Sequence, residues 1–302
     1  MNGHPFIESA SISTTHQNHV EICHRLAGYD FPWELNRALE LAIFRTFCVP
    51  RISQLLRHTG EFVHHSQKRY DDTGLILGNI VKWGYNSPKG QLAIARMNRI
   101  HKRFDIDNED FLYVLSVLIY EPVRWNKCFG WRLFTPVEKQ SLFEFWRAVG
   151  QQMEITDIPE TYEAFEQFNR AYEAQHFRYS PDNQIIGDAV MNLMRSWLPE
   201  IAAPIVPLIV SAMVDTPMRE ALGWSRPPAW VSKIICQSFR WSRQVARYLP
   251  HRHRPHFLVD APNTTYPQGY DIEKLGPGET PRQKTASRCP FARMQSFLKA
   301  RA

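Results

Sequence analysis

KGQLAIARMNRIHKRF, residues 89–104, places Ala93, Ile94, Met97, Ile100 and Phe104 at three- and four-residue spacing. That is the period of an α-helix with one apolar face. His101 falls in the middle of that face, and Arg96, Arg99 and Arg103 fall on a neighbouring one. A histidine on a buried face loses water at both ring nitrogens and needs another partner. Two readings follow: a core histidine bonded to a carbonyl or carboxylate, or a neutral imidazole that ligates iron.

The same period recurs on both sides of this segment. Trp33–Cys48 carries a stripe of Leu35, Leu39, Ile43 and Phe47 and is stopped by Pro50. Further helices are predicted over Ile52–His58 and from Phe62 past Gly78. Glu109–Ile119 is apolar on nearly every side, which suits a central helix. Thr135-Pro136-Val137-Glu138 combines an N-cap, a first-position proline and a capping-box glutamate, and Gly150 reads as the matching C-cap. Pro159–Gln175, Asp182–Trp197, Pro204–Val214 and Ala229–Tyr248 complete the series. Strand alternation bounded by hairpin turns is missing. The fold expected is all-α: a single multi-helix bundle over residues 31–249, preceded by an arm (1–30) and followed by a basic, Pro- and Gly-containing tail (250–302).

Five scattered cysteines with no C-x-x-C pair indicate neither a disulfide framework nor a cysteine zinc site, and favour a reducing compartment. Residues 1–20 lack the apolar core of a signal peptide. The most apolar stretch, Ile201–Val214, is too short to span a bilayer and contains Pro204 and Pro207. A cytoplasmic protein without a transmembrane helix is therefore expected. The net charge of +6 suits an anionic partner or simple solubility. Arg240, Arg243, Arg247, Arg252 and Arg254 sit in no nucleic-acid-binding module. A solvated basic face and contact with an anionic membrane remain for them. Hydrolase, zinc-protease, P-loop and dinucleotide fingerprints are absent.

Three further groups can carry chemistry. Arg69, Asp72 and Thr73 share a helix face at i, i+3 and i+4, either as an exposed salt-bridge patch or as a polar cluster facing a pocket. His176, after Tyr172-Glu173, either caps a helix C-terminus or faces the same pocket. Glu121 and Arg124 read as an internal ion pair. His251, His253 and His256 sit among Arg252 and Arg254 without acidic or cysteine partners, a poor cation site.

The order of several short motifs resembles the family that contains the fungal MpaB-like oxygenases and the bacterial latex-clearing rubber oxygenases. These are Lys68-Arg69-Tyr70-Asp71-Asp72-Thr73, Arg96 through His101, Asp110 through Leu115, Glu121 through Trp125, Trp146 through Gly150, Tyr172-Glu173 with His176, Arg219 through Gly223, and Gly269 through Pro277. The resemblance implies an all-α oxygenase that holds haem b and acts with dioxygen on a C=C bond of a hydrophobic, isoprenoid-type substrate. It implies His101 as the axial ligand, 28 positions after Thr73. It further implies Arg69 and Thr73 on the distal side with Asp72 able to move protons, and Arg96, Arg99 and His176 around the cofactor. The rubber oxygenases carry a lysine immediately before that threonine; this chain has Asp72. The resemblance also points to the endoplasmic reticulum, here as a peripheral association, since no anchor-like stretch is visible. A helical haem or lipophile carrier, or a membrane-surface scaffold, would use the same features without catalysis.

Overall fold

Prolines stand at the first or second position of six of the described helices. Their missing N–H is one that a first turn leaves unbonded anyway, so they punctuate the chain at little cost. A computed structural model describes residues 19–248 and 252–277. The helices are α1 (19–25, continuing as a π turn over Leu26–Asp30), α2 (Pro32–Thr46), α3 (Pro50–Thr59), α4 (Glu61–His64), α5 (Ser66–Trp83), α6 (Pro88–His101), α7 (Asn108–Phe129), α8 (Pro136–Gln152), α9 (Tyr162–His176), α10 (Pro181–Ser196), α11 (Ile205–Met213), α12 (Thr216–Leu222) and α13 (Ala229–Tyr248). No strand occurs among the described residues. The chain is all-α, as its periodicity requires.

The apolar-all-round helix α7 is central. It packs on α2, α8, α9 and α13. Leu112, Leu115, Ile119 and Tyr120 join one core cluster with α5, α6 and α8. Trp125 joins a second cluster built by α2, α10, α11 and α12. Tyr113 and Val117 face Tyr172 of α9 in a third. The helix also runs ten residues past Ile119, through Pro122. A mid-helix proline forfeits a backbone bond. Burial of Trp125 and of Asn126, whose Oδ1 accepts from the Phe134 N–H at 2.8 Å, offsets that loss.

Two other local readings change. The segment from Phe62 is two helices, broken at His65 (φ −133°, ψ 39°). Gly150 is not a C-cap: it is buried inside the last turns of α8, and a Cβ there would stand 2.4 Å from Leu115 Cδ2. Leu115 of α7 and Ile158 leave no room for a side chain, so small size, not turn geometry, selects glycine. The capping box at Thr135 and Glu138 is present, with Arg132 bonding both Glu138 oxygens at 2.8 and 2.7 Å. Residues 252–277 lie across α1, α5 and α6 as a strap. The His256 N–H bonds Gly28 O at 2.8 Å, Phe257 and Val259 press on Gly28 and Gly78, and Leu275 is fully buried. Of the expected arm (1–30), residues 19–30 form α1 and its π turn and residues 1–18 lie outside the described residues, as do 278–302 of the expected tail.

One buried cation ties the bundle together. Arg45 of α2 pairs through Nε with Glu121 (2.8 Å), through Nη1 with Glu173 of α9 (2.8 Å) and through Nη2 with Asp215, which opens α12. Arg124 adds bonds to Glu173 (3.1 Å) and Asn169 (2.5 Å), and its contact with Glu121 is longer, at 3.5 Å. The anticipated Glu121–Arg124 pair is thus the edge of a larger network. Removing one partner strands buried charge, a loss of about 3–5 kcal/mol. Arg45→Met is expected to lower the urea-unfolding free energy by about that amount. Arg170→Met, which removes an exposed i,i+4 pair with Glu166, should leave it near wild type.

Candidate active site

His101 ends α6, Arg69 and Thr73 lie in the first half of α5, and all three line one cavity of about 610 Å³. That volume is within the usual range for small-molecule and cofactor sites. The walls are mainly apolar. They come from α2 and α3 (Phe47, Ile52), α5 (Ile76), α6 (Met97, Ile100), α7 (Phe111, Val114) and α8 (Trp146). Met97, Ile100, His101 and Phe104 all face it, so the apolar stripe that located His101 is a cavity wall.

The His101 ring makes no hydrogen bond among the described residues, and its Nδ1 is buried without a partner. Phe111 flanks it, ring centroids 5.3 Å apart and planes inclined by 60°. Burial first, and the Arg69 guanidinium second, push its pKa down to about 4. The imidazole is therefore neutral at ordinary pH, the form that can coordinate a metal. A neutral ring without a hydrogen-bond partner, in the wall of an apolar cavity, is what a histidine ligand presents. The residues present fit an iron-porphyrin on this count.

Arg69 is the second feature. No carboxylate lies within ion-pair distance of it among the described residues. Burial lowers its pKa, opposed by the more distant charges of Asp72 and Glu61. Its guanidinium bonds Thr73 Oγ1 and lies 5.0 Å over the Phe62 ring. Thr73 donates its own proton back to the Arg69 carbonyl at 2.8 Å. The hydroxyl is thereby committed to holding Arg69. The wall thus holds a neutral imidazole and, at Arg69, a cation without an ion-pair partner; Glu61 and Asp105 line the cavity too and Arg51 pairs with Asp107 and Asp110, so the stabilisation of developing negative charge is local to Arg69.

The remaining candidates separate. Asp72 touches the cavity, but both its oxygens are engaged, by Lys68 Nζ at 2.8 Å and by the Tyr266 hydroxyl at 2.5 Å. Lys68 also donates to Gly276 O at 2.7 Å. Asp72 is part of the latch that closes the strap over α5, not a free acid in the cavity. Arg96 is buried and donates through Nε to Leu275 O at 2.5 Å, again holding the strap. Arg99 is exposed, and neither arginine lines the cavity. His176 stacks on Tyr172 at 4.2 Å and its Nε2 stands 4.0 Å from Glu109, outside the cavity wall. The structure therefore brings His101, Arg69 and Thr73 together and leaves Arg96, Arg99 and His176 apart. Gly276 and Pro277 line the cavity too. The strap's sequence shows no apolar period to announce that role; only its place among the ordered motifs points to it. No cluster of three metal-ligating side chains occurs among the described residues.

Comparison with known proteins identifies relatives of the chain. A family described as “ER-bound oxygenase mpaB/B'/Rubber oxygenase, catalytic domain” matches residues 38–248. The ER-bound oxygenase mpaB' of Penicillium brevicompactum is 28% identical over 243 residues, 74% of this chain and 57% of that protein's length. The ER-bound oxygenase mpaB of Penicillium roqueforti is 26% identical over 226 residues, 69% of this chain and 76% of that protein. The chain thus spans less than two thirds of the first relative's length. Among solved structures, the latex clearing protein LCP in its closed state aligns with a TM-score of 0.50 and 11% identity, covering 84% of this chain and 72% of that one. At that identity the likeness is one of fold.

The lowered His101 pKa has a thermodynamic signature. The unfolded chain takes up this proton near pH 6.5, the folded one only near 4, so stability is lost as pH falls through that window. By pH 5 the loss from this one group is about 2 kcal/mol. Between pH 7 and pH 5, the unfolding free energy of the cofactor-free protein should fall by about 2 kcal/mol more in wild type than in His101→Gln.

Proposed function

Because this chain belongs to the family of mpaB and rubber-oxygenase catalytic domains, we propose that it is a haem-dependent oxygenase in which His101 is the protein ligand to iron. The observation that carries the reading is the partnerless His101 ring, held neutral in the wall of a large apolar cavity. The substrate in this proposal is a lipophilic, isoprenoid-type molecule, oxidised or cleaved at a C=C bond, and dioxygen is the co-substrate. The relatives' names place them at the endoplasmic reticulum, and the same address, reached from the cytoplasm, is part of the proposal.

Haem, when bound, would supply the site at which dioxygen is activated; cleavage of a C=C bond into two carbonyls takes up both oxygen atoms of dioxygen and needs no external reductant. The protein supplies the rest. His101 offers a neutral nitrogen on a rigid helix end, steadied by Phe111. Arg69 holds a fixed positive charge in a poorly solvated wall, either to bind an anionic group of the cofactor or to stabilise charge that develops on oxygen. Thr73 keeps Arg69 in place through paired hydrogen bonds. Met97, Ile100, Val114 and Trp146 exclude water and favour an apolar substrate.

The test begins with reconstitution. Wild type mixed with hemin should develop a Soret band, and His101→Ala should bind hemin at least about tenfold more weakly. Arg69→Met should retain the band while dioxygen uptake on a prenylated lipid falls by roughly 10²-fold. A wild type that stays colourless with hemin overturns the proposal. A haem-loaded protein that consumes no dioxygen with any prenylated substrate is a carrier instead.

A further inference from the structure

The exposed apolar side chains of the described residues are unevenly distributed. Half of the large ones lie between residues 201 and 241: Ile201, Ile205 and Leu208 at and before α11, and Trp230, Ile234 and Trp241 on α13. Ile201 is 94% exposed, Trp230 62% and Trp241 69%. The spacing is regular. Positions 230, 234 and 241 fall within one stripe of α13, and 201, 205 and 208 recur at four and three residues. The opposite sides are apolar as well: Val206 and Val210 of α11 and Val231 and Ile235 of α13 are buried, and the two helices pack on each other. A surface helix ordinarily turns polar residues outward. Here tryptophan and isoleucine take those places, which marks a face that meets something apolar.

Charge narrows what that is. From Trp224 to Val259 the chain has no aspartate or glutamate, and it has seven basic residues: Arg226, Lys233, Arg240, Arg243, Arg247, Arg252 and Arg254. Ile201–Val214 carries no charge at all. Exposed tryptophan and aliphatic side chains within a basic, acid-free segment match the chemistry of the bilayer interface: headgroups that are anionic above an acyl boundary that is apolar. None of the described helices is long and apolar enough to cross a membrane, so contact would be made from one side. The inner sides of α11 and α13 also bound a second cavity of about 330 Å³, lined by Trp33, Trp197, Val210, Met213 and Phe239. The face therefore covers a void suited to apolar molecules.

We propose that the α11–α13 face docks on an anionic lipid bilayer, with Trp230, Ile234, Trp241 and the Ile201–Leu208 stripe entering the headgroup–acyl boundary. The inference rests on the surface alone and does not require the cofactor reading.

Sedimentation with vesicles tests it on the full chain. Wild type should pellet with phosphatidylcholine vesicles containing phosphatidylserine, less with phosphatidylcholine alone, and less as salt is raised. The triple substitution Trp230→Ser/Ile234→Ser/Trp241→Ser should lower the partition coefficient at least about tenfold. Ile201→Glu/Ile205→Glu, on the other helix, should do the same and serves if the first variant does not fold. Leu133→Ser, an exposed apolar residue elsewhere, should bind as wild type. His101→Ala should also bind as wild type, so failure here is distinct from failure of the haem reading. Quenching of tryptophan emission by brominated lipid should be strong in wild type and weaker in the triple variant. Wild type that stays in the supernatant of anionic vesicles overturns the proposal, as does undiminished binding by both multiple variants. A wild-type dimer that ignores vesicles and is split by these substitutions shows that a second copy of the chain covers the face, and overturns it equally.

Discussion

The bundle depends on Arg45. Its three ion pairs reach α7, α9 and the start of α12 from a single position on α2. Tyr113 adds a hydrogen bond to the Arg45 carbonyl at 3.3 Å and stacks on Tyr172 at 4.4 Å. A buried pair of this kind adds little net stability over a well-packed apolar substitute, but its directional bonds favour the register in which all three carboxylates reach Arg45. Register matters here because α2 and α7 both present wall residues to the large cavity: Ala42, Ile43 and Thr46 from one, Val114, Val117 and Leu118 from the other. Side chains that face a void lose dispersion contacts on that side. Apolar contacts alone would tend to slide these helices together and fill the space. A directional polar frame behind them keeps the walls apart.

Neighbouring cations on α5 show how the cavity acquires its charge. Lys68 and Arg69 are adjacent, so they point about 100° apart around the helix. Lys68 meets Asp72 and the Gly276 carbonyl and is fully compensated. Arg69 meets only Thr73 and the face of Phe62. The strap consumes one charge and leaves the other to the cavity. His101 then cannot share the positive charge: burial and Arg69 together keep it neutral. Arg69 is thus left in the cavity wall without an ion pair, beside a neutral imidazole, because Asp72 is held by Lys68 and by Tyr266 of the strap.

Sequence periodicity was a good guide wherever the determinant was local. The α6 stripe located His101 on an apolar face, and the i, i+4 spacing paired Arg69 with Thr73, because both relations are set within one or two helical turns. What the spacing could not reveal were partners far along the chain. Asp72 pairs with Lys68 four residues before it, a local ion pair, but its second bond comes from Tyr266, 194 residues away. Arg96 looks like a cofactor ligand until it meets the Leu275 carbonyl, 179 residues distant. Gly150 imitates a C-cap because the reason for its size is Leu115 on another helix. Pro122 looks like a helix end because the packing that carries α7 through it is tertiary. The seven residues of α12 are too few to show a repeat.

The cavities also explain why so much aromatic and aliphatic surface is needed. Ile43, Thr73, Leu77, Leu118 and Trp146 line both the 610 Å³ cavity and a smaller gap of about 90 Å³. Asn36, Glu40, Tyr70 and Leu258 line that gap and the 330 Å³ cavity beneath α11 and α13. The partitions between the three are shared side chains, with no intervening backbone layer between their walls. At the outer partition the Tyr70 hydroxyl donates to Glu40 Oε1 at 2.5 Å, and Arg37 pairs with the same carboxylate at 2.6 Å. Glu40 thus accepts from both groups and its charge is not stranded, although Arg37 Nε is buried without a partner. Rotamer changes on exposed or loosely packed side chains are fast, whereas helices joined as α2 and α7 are by Arg45 move slowly, if at all. Tyr70, packed on Trp197 at 4.9 Å and bonded to Glu40, is one of the side chains that divide the smaller gap from the cavity beneath α11 and α13.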